Sequence, residues 1–190
     1  EHWKAIEEHG FKAMAPCDIM DEHEEMDLPV QNGFHLDKDI VGKNFANYDS
    51  VLVLSHFKGH AMAGLGGALK NISIGIASTQ GKAYIHTAGV TTDATELWSK
   101  LPPQDHFLES MADACQAIIA YKGAENMVYI NVANRLSVDC DCSANPAEPE
   151  MADLGIFASL DPVAVDQACY DAVLNSPDPG KKALIERMES

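Results

Sequence analysis

Two short, unbroken apolar runs do most to limit what this chain can become. Val51–Ser55 (VLVLS) and Met127–Ala133 (MVYINVA) are rich in aliphatic and β-branched residues and lack strict polar alternation. Such runs predict strands buried on both faces, the usual state of a parallel sheet covered by helices. Leu154–Ala158 reads as a third strand. Phe107, Leu108, Met111, Ala114, Cys115, Ile118 and Ile119 recur at helical intervals, which predicts an amphipathic helix over Asp105–Tyr121. Asp161-Pro162 pairs an N-cap with proline at the first helical position and opens a helix to Leu174; Asp178-Pro179 repeats the device for a helix to Met188. Strands alternating with helices predict an α/β fold, a mostly parallel sheet flanked by helices, in a single domain over residues 1–190.

The smaller elements follow from local chemistry. Trp3–His9 has helical spacing and stops at Gly10. Pro16–Met20 reads as a short strand. The acidic run DEHEEMD after it reads as a solvated turn, although His23 and its carboxylates offer cation ligands. A short helix is expected over Gly67–Ile72, and Thr91–Gln104 reads as loop with one turn around Leu97-Trp98.

A chain of 190 residues buries roughly 70% of its unfolded surface. Its core needs neither disulfides nor a structural metal, so any metal site would be functional. Thirteen basic against 29 acidic residues give a formal net charge of −16, which repels nucleic-acid phosphates and anionic lipid. The apolar runs fall far short of the ~20 residues that span a bilayer. No nucleic-acid or membrane partner is expected. The acidic, helical start is unlike a signal peptide, and five cysteines without a framework spacing favour a reducing compartment. The reading is cytoplasmic.

Chemistry concentrates where the first strand ends. His56, Lys58, His60 and Lys70 lie at its end or in the glycine-rich continuation, which holds Gly59, Gly64, Gly66 and Gly67. Strand-end loops form the ligand crevice of open α/β sheets, and glycine lets a ligand approach the backbone. Imidazoles bind metals or carry protons near neutral pH, and a desolvated lysine becomes nucleophilic. The glycines do not form a nucleotide motif. Lys70 lacks the preceding glycine and following Ser or Thr of a P-loop, and Leu69 stands where a dinucleotide fingerprint needs its third glycine. A second cluster is Asp139-Cys140-Asp141-Cys142. On an extended segment its cysteines would point to opposite faces, whereas in a turn both could face one pocket. As thiolates they suit zinc, iron or nickel, but the Cys-x-x-Cys spacing of structural zinc or cubane sites is missing. Free buried thiols or an exposed acidic turn are the other readings. Cys17, Cys115 and Cys169 read as structural.

SHFKGHAMAGLGGALKNISIG and CDC…DLGIFASLDPVAVDQA closely resemble domain-of-unknown-function family 362 (DUF 362), whose members are often described as iron-sulfur centre proteins. The resemblance implies an α/β fold and a metal or redox connection, without an established reaction. Many members carry a ferredoxin module before the next long helix, but Ala83–Asp105 contains no cysteine, so no ferredoxin-type cluster motif is present. The resemblance also implies missing N- and C-terminal flanks. A more distant similarity is to the N-terminal domain of nickel-pincer lactate racemases. His60 precedes Lys70 by ten residues and Lys70 precedes His86 by sixteen, as in that domain. That likeness implies Lys70 as cofactor attachment, His86 as nickel ligand and His60 as acid/base. The glycine pair sits one position early, and the second acid/base histidine and C-terminal domain have no counterpart here.

Together these readings predict a protein that binds a metal or cofactor and acts on a small molecule through a His/Lys pocket. His60 and Lys70 are the candidate catalytic residues. Lys70, Gly64, Gly66, Gly67 and Asn71 would bind a cofactor, and His56, His60, His86, Cys140 and Cys142 would hold iron, nickel or zinc. The alternative is a non-catalytic redox accessory of an iron-sulfur centre that docks a redox partner protein.

Overall fold

In the computed structural model, which describes residues 2–190, the chain opens with two short helices, α1 (His2–Glu8) and α2 (Phe11–Met14). Gly10 separates them at φ +77°, in the left-handed region that glycine adopts without strain. An antiparallel hairpin follows, β1 (Glu25–Pro29) with β2 (Lys38–Gly42). β3 (Val51–His56) leads into a second hairpin, β4 (Lys58–His60) with β5 (Gly64–Gly66). Then come α3 (Ala68–Ile76), α4 (Thr79–His86), the long α5 (Gln104–Lys122), β6 (Met127–Ala133), β7 (Gly155–Ser159), α6 (Pro162–Asn175) and α7 (Lys181–Met188).

The fold is α/β, but its sheets are mixed or antiparallel, which corrects the expected mostly parallel sheet. The central sheet has the order β3-β6-β7. β3 and β6 are parallel, with Val51 opposite Met127, because three helices lie between them and carry the chain back to the starting edge. No helix lies between β6 and β7. The chain therefore reverses directly, and β7 pairs antiparallel, Tyr129 opposite Ser159.

The strands are buried on one face only, a second correction. Val53, Met127 and Tyr129 pack against Ile72 of α3, Ile118 of α5 and Val165 of α6. Across the sheet, Leu52, Leu54 and Ile156 are 63%, 62% and 71% exposed. The apolar runs satisfy both faces in composition, yet helices cover one.

Local departures have local causes. Pro16–Met20 contains no strand, and the acidic run supplies the first three residues of β1, which turns Leu28 inward and its carboxylates outward. α3 continues past Ile72 to Ile76, and α4 was not expected. Asp161 caps α6 as expected, accepting the Val163 and Ala164 N–H groups at 2.8 and 3.1 Å. Asp178 instead accepts the N–H groups of Gly180 and Ala152, so α7 begins only at Lys181. No helix among the described residues is long and apolar enough to cross a membrane.

Candidate metal centre and the pocket beside it

The β4–β5 hairpin sets His60. A Cβ on Gly59 would lie 2.3 Å from the Val138 carbonyl oxygen, and Gly64, at φ +70°, would place one 2.7 Å from that of Met188. These two glycines therefore serve close chain packing. His60 is buried, and its Nδ1 accepts the peptide N–H groups of Met62 at 3.1 Å and Ala63 at 3.0 Å. The neutral ring thus carries its proton on Nε2. Burial, then the neighbouring charges of Lys70, His86, Lys58 and Arg187, push the His60 pKa down to about 4.

Cys140 and Cys142 reach the same place through a turn closed by the Ser143 N–H on the Cys140 carbonyl at 2.9 Å. One ligand atom from each of His60, Cys140 and Cys142 lies within 4.8 Å of the others, the one such group found among the described residues. The turn resolves the alternatives for the Cys-x-Cys pair by bringing both sulfurs to one side. Cys140 is buried, which alone would raise its pKa, but the Cys142 N–H and thiol, then Lys70 and Lys58, outweigh this and lower it. Cys142 is exposed and its pKa is raised, first by its hydrogen bond to Cys140. The Lys70 ammonium, from the first turn of α3, stands 3.8 Å from Cys140 Sγ.

Residues 1–171 match the sequence family described as a domain of unknown function, DUF362. The chain belongs to this family. No curated protein and no solved structure matches the chain, and the similarity to the nickel-pincer racemases is not shown by these comparisons. Within this DUF362 chain the residues expected at the site divide. His60, Lys70, Cys140 and Cys142 come together. His56 lies outside the metal-capable group, on the wall of the polar cavity that Lys70 also lines, with Nε2 on the Asn134 carbonyl at 2.7 Å and Nδ1 on the Asp141 carboxylate at 2.9 and 3.0 Å. His86 donates Nδ1–H to the Lys82 carbonyl at 2.6 Å and stacks on Phe107, outside the metal-capable group.

Gly66, Gly67 and Asn71 line a polar cavity of about 480 Å³ together with Lys58, Lys70, Lys82 and Asp141. Asn71 spends its amide on the Leu54 carbonyl and Ser55 hydroxyl. On its other side Lys70 borders an apolar cavity of about 690 Å³ walled by α3, α5 and α6.

Two residues of the site escaped the sequence reading. Lys82 lies on the unexpected α4, and no motif marks it. Asp166 accepts the Ala68 and Leu69 N–H groups at 2.7 and 3.0 Å and the Asn131 amide at 2.7 Å, fixing the start of α3 and so the placement of Lys70. It lies inside the quoted DLGIFASLDPVAVDQA segment, and a carboxylate on the inward side of a helix was its available signal.

Proposed function

We propose that this protein binds a transition metal through Cys140, Cys142 and the His60 ring, and uses the site with Lys70 to act on a small molecule. The observation that carries the reading is the convergence of one imidazole and two sulfurs within 4.8 Å. Two thiolates and an imidazole suit zinc, iron or nickel, and three protein ligands leave a coordination position for a substrate or water. A metal there would supply Lewis acidity. The chain contributes the rest. Cys140 is poised toward its thiolate, the peptide N–H groups of Met62 and Ala63 fix the His60 ring, and Lys70 places a positive charge beside Cys140.

Anaerobic purification followed by elemental analysis tests this. Near-stoichiometric zinc, iron or nickel in the wild type, lost in Cys140→Ala and His60→Ala with the fold intact, is expected. Metal-free wild type after loading, or equal metal in all three proteins, overturns it. An iron-sulfur absorption band that survives both substitutions would favour the redox accessory.

A further inference from the structure

The chain's thirteen basic side chains can be accounted for one by one. Nine lie within 4.0 Å of a carboxylate: Lys4, Lys12, Lys38, Lys43, Lys58, Lys100, Arg135, Lys182 and Arg187. Two more, Lys122 and Lys181, donate to pairs of backbone carbonyls. The remaining two, among the described residues, are Lys70, whose one polar partner is Cys140 Sγ at 3.8 Å, and Lys82, and both line the same polar cavity. In a protein with 29 carboxylates it is unusual to leave two lysines of one cavity without a carboxylate partner.

From this we infer that the cavity receives a small, doubly charged oxyanion, a phosphate ester or a dicarboxylate, between the ammonium groups of Lys70 and Lys82. The inference deepens the proposed function by naming its substrate class, and rests on that reading only for placing the anion beside the metal ligands. Lys58 adds a third ammonium to the wall. Its charge is offset by Asp141, the one carboxylate lining the cavity, which accepts from Lys58 Nζ at 2.6 Å and faces His56. The start of α3 is not the anchor, because Asp166 already takes the Ala68 and Leu69 N–H groups from the opposite side. The lysines must do the binding. Gly66 gives the anion room, since a Cβ there would meet only the Lys58 Cε at 3.6 Å. The long-range field of a chain at −16 repels anions, so local ammonium groups in a partly enclosed cavity must overcome it, and occupancy should fall with added salt.

Calorimetric titration of the intact protein in low-chloride buffer tests this, with inorganic phosphate and malonate as probes. Metal content is measured on the same samples. One equivalent of at least one probe is expected to bind, competed by salt. Lys82→Gln should weaken it by about tenfold or more, the cost of one charged hydrogen bond, whereas Lys82→Arg should retain binding. Lys100→Gln, which removes a charge paired with Glu96 elsewhere on the surface, should behave as wild type. Phosphate alone would assign a phosphate ester, and malonate alone a dicarboxylate. No heat beyond a chloride control for either probe, or equal affinity in wild type and Lys82→Gln, overturns the inference. Lys82 is outside the metal group, so anion binding without metal would sink the metal reading alone, and metal without anion binding would sink this one alone.

Discussion

Lys70 Nζ lies 3.8 Å from Cys140 Sγ, joining the first turn of α3 to the Cys-x-Cys turn seventy residues away. An ammonium beside a sulfur favours the thiolate, and here it acts with the Cys142 N–H and thiol against the cost of burial. In chelator-treated protein, Lys70→Met should therefore move the alkylation of Cys140 by iodoacetamide to higher pH. At pH 7 the rate should fall several-fold, by roughly threefold to tenfold if half to one pKa unit is lost. Lys70→Arg should keep most of the wild-type rate. Site-resolved mass spectrometry separates Cys140 from the exposed Cys142, and an unchanged pH profile for Cys140 would show that the ammonium has no hold on it.

Metal affinity should rise steeply with pH. The Cys142 thiol holds its proton more tightly than usual and must release it to bind a metal, whereas the His60 ring, with its pKa pushed down to about 4, is already neutral over this range and adds no slope. Each proton displaced by the metal adds about tenfold in affinity per pH unit. Competition against a chelator of known affinity at pH 6, 7 and 8 measures the slope. A flat profile would mean that the Cys142 sulfur does not ligate.

Asp166 and Gly67 form a coupled pair. A Cβ on Gly67 would come within 2.3 Å of Asp166 Oδ1, which is held by Ala68 and Asn131 and cannot swing aside freely. Gly67→Ala should cost roughly 1–3 kcal/mol, the range for overpacking. Asp166→Ala, which strands buried donors, should cost about 2–4 kcal/mol. In the double variant the clash is gone, so the two losses should sum to less than their parts. Strict additivity in urea unfolding would refute the coupling.

What could be read from the sequence follows the reach of each signal. β3, β6 and α5 announce themselves because their apolar patterns are long and local. The orientation of β7 depends on what joins it to β6, and the absence of a helical pattern over residues 134–154 was the sign that the chain turns straight back. α4 hides because its TQGKAYIH sequence is short, interrupted by Gly81 and nearly neutral in hydrophobicity. At the site, His60, Lys70 and the cysteines are visible as residue types, but their meeting is not. It needs the hairpin to set His60, Asp166 to fix the start of α3, and the turn at Ser143 to swing both sulfurs to one side. Of these, the turn was open as one of two alternatives, and Asp166 was marked only by its place on the inward side of a helix.

Asp39 on β2 gives the fold its own pH dependence, away from the metal ligands. Its carboxyl is wholly buried and neither oxygen has a hydrogen-bond partner. Burial raises its pKa to about 7. In the unfolded chain the group titrates near 3.9. Between these values the folded protein holds a proton that the unfolded chain has released, so this contribution to stability is present at low pH and is lost as pH rises from about 4 to about 7. Asp39→Asn removes the titration while keeping the shape. Urea unfolding at pH 5 and pH 8 should show the variant gaining on the wild type by roughly 2–3 kcal/mol across that interval. If the gap between the two proteins is the same at both pH values, the carboxyl is solvated or paired, and β2 carries no buried acid.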